Sequence, residues 1–132
     1  MIKFIHHTGI SVSNMENSLE FYRGLLGMKV ERDVIVSGKD IGEVNNLDKP
    51  QVRIVILEFD GGRIELLEFL SPRGRPLAKR VRLCDHAITH IALEVDNIDE
   101  IYRQWVVKGI LFNSPPRAMR EGKGNTCTFL YD

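Results

Sequence analysis

Cysteine is scarce in this chain. Cys84 and Cys127 are the two among 132 residues, and neither has a neighbour at the spacing of a metal knot or a redox pair. Isolated thiols of this kind suit a reducing compartment, which predicts a cytoplasmic protein. An excess of charge is also missing, since 18 Lys plus Arg stand against 18 Asp plus Glu. Such a balance recruits neither nucleic acid nor a membrane surface. No apolar run has the length that spans a bilayer, and the N-terminus lacks the layout of a signal peptide. There is no apparent Ser-His-Asp set. The stretch from Glu121 to Asn125 is too short, and lacks the following helix, to be a phosphate-cradling loop. The one basic cluster, from Arg73 to Arg82, is diluted by Pro76, Leu77 and Ala78 and reads as a solvated linker face. What remains is a globular composition, 43% hydrophobic and 27% charged, in one domain's length with enough residues to bury a core.

What the chain does contain is the same stretch twice. The residues from His7 to Glu16 align without a gap on those from His90 to Asp99. His7/His90, Val12/Val95 and Asn14/Asn97 are identical, while Gly9/Ala92, Ile10/Leu93, Met15/Ile98 and Glu16/Asp99 are close substitutes. Each copy opens as a strand, the first over about Lys3 to Val12. Alternation puts Thr8, Ile10 and Val12 on one face and His7, Gly9 and Ser11 on the other. The second copy divides in the same way, with Ile91, Leu93 and Val95 against His90, Ala92 and Glu94. The histidine thus shares its face with a tiny residue and a polar one, as in the wall of a wet cavity.

A helix follows each strand. Ser13 and Glu16 have capping-box spacing, and Leu19, Tyr22, Leu25 and Leu26 form an apolar stripe that Gly27 stops. The second helix opens at Asp96 or Asn97, carries Ile98, Ile101, Tyr102 and Trp105, and stops at Gly109. A strand from Met28 to Ile35 comes next, then a Gly-, Asn- and Asp-rich loop (Ser37 to Pro50), then the strand Gln51 to Phe59. Asp60-Gly61-Gly62 marks a hairpin, and Arg63 to Phe69 returns. Module one is expected over about 1–70, a connection over 71–86 and module two over 87–132, all in a single domain. In the second module Thr126 to Tyr131 is the penultimate strand. Tyr131-Asp132 matches Phe59-Asp60 at the lip of a hairpin, so the last strand is expected beyond Asp132.

Equivalent histidines in two paired halves can converge on one point, which is how a metal site is built from a duplication. His7 and His90 are therefore candidate metal ligands. Glu65 is the third. Ile64 and Leu66 belong to the apolar face of their strand, whereas Arg63, Glu65 and Leu67 point the other way, toward the face that carries His7. Two imidazoles and a carboxylate suit a borderline divalent ion: Zn, Ni, Fe, Co or Mn. Glu58 and Glu68 lie nearby and read as ordinary surface charges. His6 is expected on the packing side in a structural role, and His86 in an exposed loop.

At these residues the chain resembles the vicinal oxygen chelate superfamily (glyoxalase I, methylmalonyl-CoA epimerase, extradiol dioxygenases, and fosfomycin and bleomycin resistance proteins). The stretches that carry the likeness run from His7 to Val12, Ser18 to Met28, Ile64 to Glu68, His90 to Ile98 and Phe129 to Asp132. The resemblance implies an α+β fold, in which two tandem βαβββ modules form a curved mixed sheet around a cleft. It also implies that His7, Glu65 and His90 match three metal ligands of the glyoxalase and epimerase branch, the fourth being a late glutamate beyond Asp132. The implied activity is that of a metal-dependent lyase or isomerase. It would stabilise the enediolate of a small substrate with vicinal oxygens, with Glu65 or the late glutamate as the catalytic proton shuttle. Alternatives are an Fe(II) extradiol-type dioxygenase and a metal-free binding protein of the bleomycin resistance type. A homodimer acting on a small molecule, with no nucleic acid or membrane partner, is the expected assembly.

Overall fold

The computed structural model describes residues 1–76, 82–88, 90–119 and 126–131. The chain divides into two compact units, Met1–Ala78 and Lys79–Asp132.

In the first unit, β1 (Thr8–Ser11) leads into α1 (Met15–Leu19), which continues as a wider π-wound turn over Glu20–Leu25. Then come β2 (Lys29–Ser37), α2 (Lys39–Asn45), β3 (Gln51–Phe59) and β4 (Gly62–Ser71). The four strands form a mixed sheet in the order β1-β4-β3-β2, with β1 parallel to β4 and the other pairs antiparallel. This is the βαβββ module with a short helix added. β1 is shorter than its alternating pattern, because only Thr8–Ser11 find ladder partners on β4.

The cap of α1 is Asn14 rather than Ser13: its side chain accepts from the Asn17 backbone N–H at 3.0 Å. At the other end Gly27 adopts φ +73°, and Met28 N–H donates across it to the Tyr22 carbonyl at 3.1 Å. Glycine reaches that left-handed conformation without a Cβ penalty. The apolar stripe of the helix lies on one face of the sheet. There Met15, Leu19, Tyr22 and Met28 join Val55, Leu57, Ile64 and Leu66 in the buried core, flanked by Ile10 and Val12. Burial of these side chains is the main favourable term that holds the module together.

The segment read as a loop between Ser37 and Pro50 contains α2. Its seven residues end on Asn46 in the left-handed region, and Gly42 is buried beneath the turn that follows. Composition pointed to a loop because three of the seven helix residues, Asp40, Gly42 and Asn45, are poor helix formers.

The second unit holds α3 (Ile98–Val107), whose cap Asn97 accepts from Glu100 N–H at 3.1 Å, and which closes at Gly109 with φ +85°. Beyond it β5 (Arg117–Ala118) pairs antiparallel with β6 (Thr126–Cys127), and Phe112 bridges to Leu130. The strand expected at His90 to Val95 is not formed. In the first unit β1 is a strand through its parallel ladder with β4, and the described residues of the second unit offer no such neighbour. Ile91, Leu93 and Val95 are accordingly about 40% exposed. The expected strand Thr126 to Tyr131 is likewise reduced to β6 and the bridge at Leu130. Lys79-Arg80, the stretch from Glu121 to Asn125, and Asp132 at the expected hairpin lip lie outside the described residues.

Candidate metal centre

Position 65 sits at the middle of the module. In the sheet register Gly9 lies beside Glu65, and Ile56 flanks Glu65 on its other side. Alternation on β4 buries Ile64 and Leu66 against the helix and sends Glu65 and Leu67 to the opposite face. His7, immediately before β1, reaches the same place: its Nε2 lies 3.3 Å from Glu65 Oε2. The Glu65 side chain is 19% exposed and that of His7 35%, so the pair is sheltered but open to solvent on one side. A Cβ at Gly9 would lie in ordinary van der Waals contact, 3.8 Å from Glu65 Oε2 and 3.6 Å from Leu67 Cδ1.

The neighbouring acids have other work. Glu68 faces the helix side, where its Oε2 accepts from Met15 N–H at 3.3 Å and its Oε1 lies 3.6 Å from Arg73 Nη1. A carboxylate at the start of a helix is favoured by the exposed N–H groups there. Glu58 lies on the face of Glu65, opposite Arg63 and near the hairpin end. Arg63 in turn donates to Glu31 at 2.8 Å.

His6 departs from expectation. It is exposed rather than packed, and its Nδ1 lies 2.8 Å from Nδ1 of His7. Period-two alternation assigned it to the packing side, but the segment before Thr8 is not in the ladder, so that rule does not govern it. The adjacent His-His pair was the available signal.

His90 lies in the second unit, its ring edge-on to Phe129 at a centroid distance of 5.3 Å. His86 is exposed, as anticipated, in a turn where Asp85 accepts from the Arg82 side chain and backbone. Those hydrogen bonds hold the Asp85 carboxyl below its usual range. Among the described residues no group of three or more His, Cys, Asp or Glu side chains is gathered so as to hold a metal ion. The His7–Glu65 pair, one nitrogen and one oxygen donor side by side on an open face, fits two positions of a borderline divalent site.

A family profile described as the Glyoxalase/Bleomycin resistance protein/Dioxygenase superfamily matches residues 4–132. The chain belongs to that superfamily. Ten solved chains are similar to it. A glyoxalase family protein from Bacillus cereus is 20% identical with a TM-score of 0.85, over 98% of this chain and 87% of that one. A superfamily member from Sphaerobacter thermophilus is 27% identical with a TM-score of 0.65, over 99% and 90%. A glyoxalase family protein from Enterococcus faecalis is 23% identical with a TM-score of 0.61, over 98% and 90%. Comparison with curated proteins gives no match. The superfamily assignment agrees with the mixed α+β architecture, and no helix among the described residues is long and apolar enough to cross a membrane.

Proposed function

We propose that this chain is a metal-dependent lyase or isomerase of the glyoxalase type, acting at a carbon beside a carbonyl in a small substrate with two neighbouring oxygens. The observation that carries this reading is the contact between His7 Nε2 and Glu65 Oε2 at 3.3 Å. The extradiol branch, by resemblance, works with two histidines and one late glutamate and needs no acid at this position. An acid held beside His7 therefore favours the isomerase branch.

A divalent ion bound by His7, Glu65 and His90 would supply a Lewis acid for the oxyanion that develops when the adjacent carbon loses its proton. On this reading Glu65 would take that proton. One carboxylate oxygen faces His7, which leaves the other able to accept and return a proton at the substrate carbon. Half-buried Ile54, Ile56 and Leu67 are neighbours of Glu65 across and along the sheet.

The test is turnover of the hemithioacetal of methylglyoxal and glutathione, or of a 2-methyl acyl-CoA, in D2O with elemental analysis of the same sample. Deuterium should enter at the carbon beside the carbonyl with no uptake of oxygen, and Glu65→Gln should lower kcat by roughly 10²- to 10⁴-fold. Oxygen consumption with bound iron would move the chain to the dioxygenase branch. Ligand binding without any retained metal, unchanged in His90→Ala, would make it a binding protein.

A further inference from the structure

We infer that His6 is a positioning residue for His7: its ring holds Nδ1 of His7 engaged, so that Nε2 is turned toward Glu65. This rests on the reading of His7 as a ligand for its importance, but the coupling of the two rings can be measured without any metal.

The geometry is a chain of contacts. Phe4 stacks on His6 with ring centroids 6.3 Å apart and planes 24° from parallel. His6 meets His7 nearly edge-on at 5.1 Å, with the two Nδ1 atoms 2.8 Å apart. His7 Nε2 then faces Glu65 Oε2 at 3.3 Å. Which of the two Nδ1 atoms donates across that 2.8 Å contact depends on the tautomers of the two rings. With a cation held on Nε2, a neutral His7 ring would carry its proton on Nδ1 and donate it to His6 Nδ1. Imidazole serves both cases by exchanging tautomers, which a lysine or arginine in its place could not do. Two nitrogens on one ring compete for a metal, and an engaged Nδ1 removes the competition in favour of the nitrogen beside Glu65. Outer partners of this kind orient a ligating histidine and raise metal affinity.

The experiment uses the whole chain with 15N-labelled histidine and compares it with His6→Ala and His6→Asn, an amide that can present either a donor or an acceptor. Ring nitrogen shifts are read in the metal-free protein, and Zn(II) affinity by calorimetry. The expected result is that His6→Ala changes the His7 Nδ1 shift and weakens Zn(II) binding about 10-fold or more, and that His6→Asn restores most of both. If His6→Ala leaves the His7 Nδ1 shift unchanged, the inference fails, whatever the affinity does. If that shift changes but the wild-type chain takes up no Zn(II), the ring coupling stands and the metal reading of the site falls.

Discussion

Glu65 and Glu68 stand three residues apart on one strand, and their surroundings give them different tasks. Glu68 turns to the helix side and is occupied by Met15 N–H and Arg73, while Glu65 turns to the open face beside His7. Arg53 shows a third arrangement of charge. Its guanidinium donates to Asp33 at 3.0 and 2.8 Å and to Glu16 at 2.6 Å, tying β2 and α1 to β3. The hydrogen bonds from Arg53, with its positive charge adding to them, hold the Asp33 carboxyl below its ordinary value of 3.8 against the opposing effect of burial. A carboxyl depressed by folding contributes stability that is present above its unfolded value and is lost as pH falls through the lower folded value. Arg53→Met should cost about 1–2 kcal/mol near neutral pH, a modest figure because Asp33 and Glu16 are partly solvated. The difference from wild type should shrink as the pH drops below the usual aspartate range. Urea unfolding across that range measures it, and a pH-independent difference would remove Asp33 from the explanation.

At the scale of elements, what could be read from the sequence follows from where the pattern is strong and locally caused. β3 over Gln51–Phe59 and the Asp60-Gly61 turn were legible because alternation and a positive-φ glycine act on neighbouring residues. The start of α3 at Asn97 was legible for the same reason. α2 was not, since seven residues with two polar breakers carry no periodic signal, and the helix depends on contacts made elsewhere. The segment from His90 to Val95 shows the opposite failure: its alternation matches β1, but a strand exists only where a partner completes its ladder. Within the candidate site, the face of Glu65 followed from parity along β4, whereas His7 and the ring contact of His6 lie ahead of the ladder, outside any regular element. Two glycines turn this distinction into a test. Gly24→Ala meets nothing nearer than the Leu19 carbonyl at 3.9 Å and should stabilise the chain by about 0.5–1 kcal/mol through helix propensity. Gly42→Ala would set a Cβ 2.9 Å from the Leu47 carbonyl oxygen, so the same substitution should destabilise by about 1–3 kcal/mol. Thermal unfolding of the two variants decides it, and a gain at Gly42 would show that the turn after α2 yields easily.

For the whole molecule the central matter is whether the duplication built one site or left two unrelated histidines. His7 and Glu65 belong to Met1–Ala78, and His90 to Lys79–Asp132. An ion that binds the folded state alone raises stability in proportion to the logarithm of its concentration over Kd, about 2.7 kcal/mol at a hundredfold excess over Kd. With Zn(II) titrated into the chain, unfolding should shift upward by that amount. If the repeat places both imidazoles on one ion, His7→Ala and His90→Ala should each abolish most of the shift, and the double variant should lose no more than either single one. Non-additivity of this kind is the signature of groups acting on a common partner. If His90→Ala keeps the full shift while His7→Ala loses it, the ion belongs to the first unit alone, and the second histidine serves the packing against Phe129. The measurement therefore separates a shared site from a local one by reading stability, with no substrate in hand.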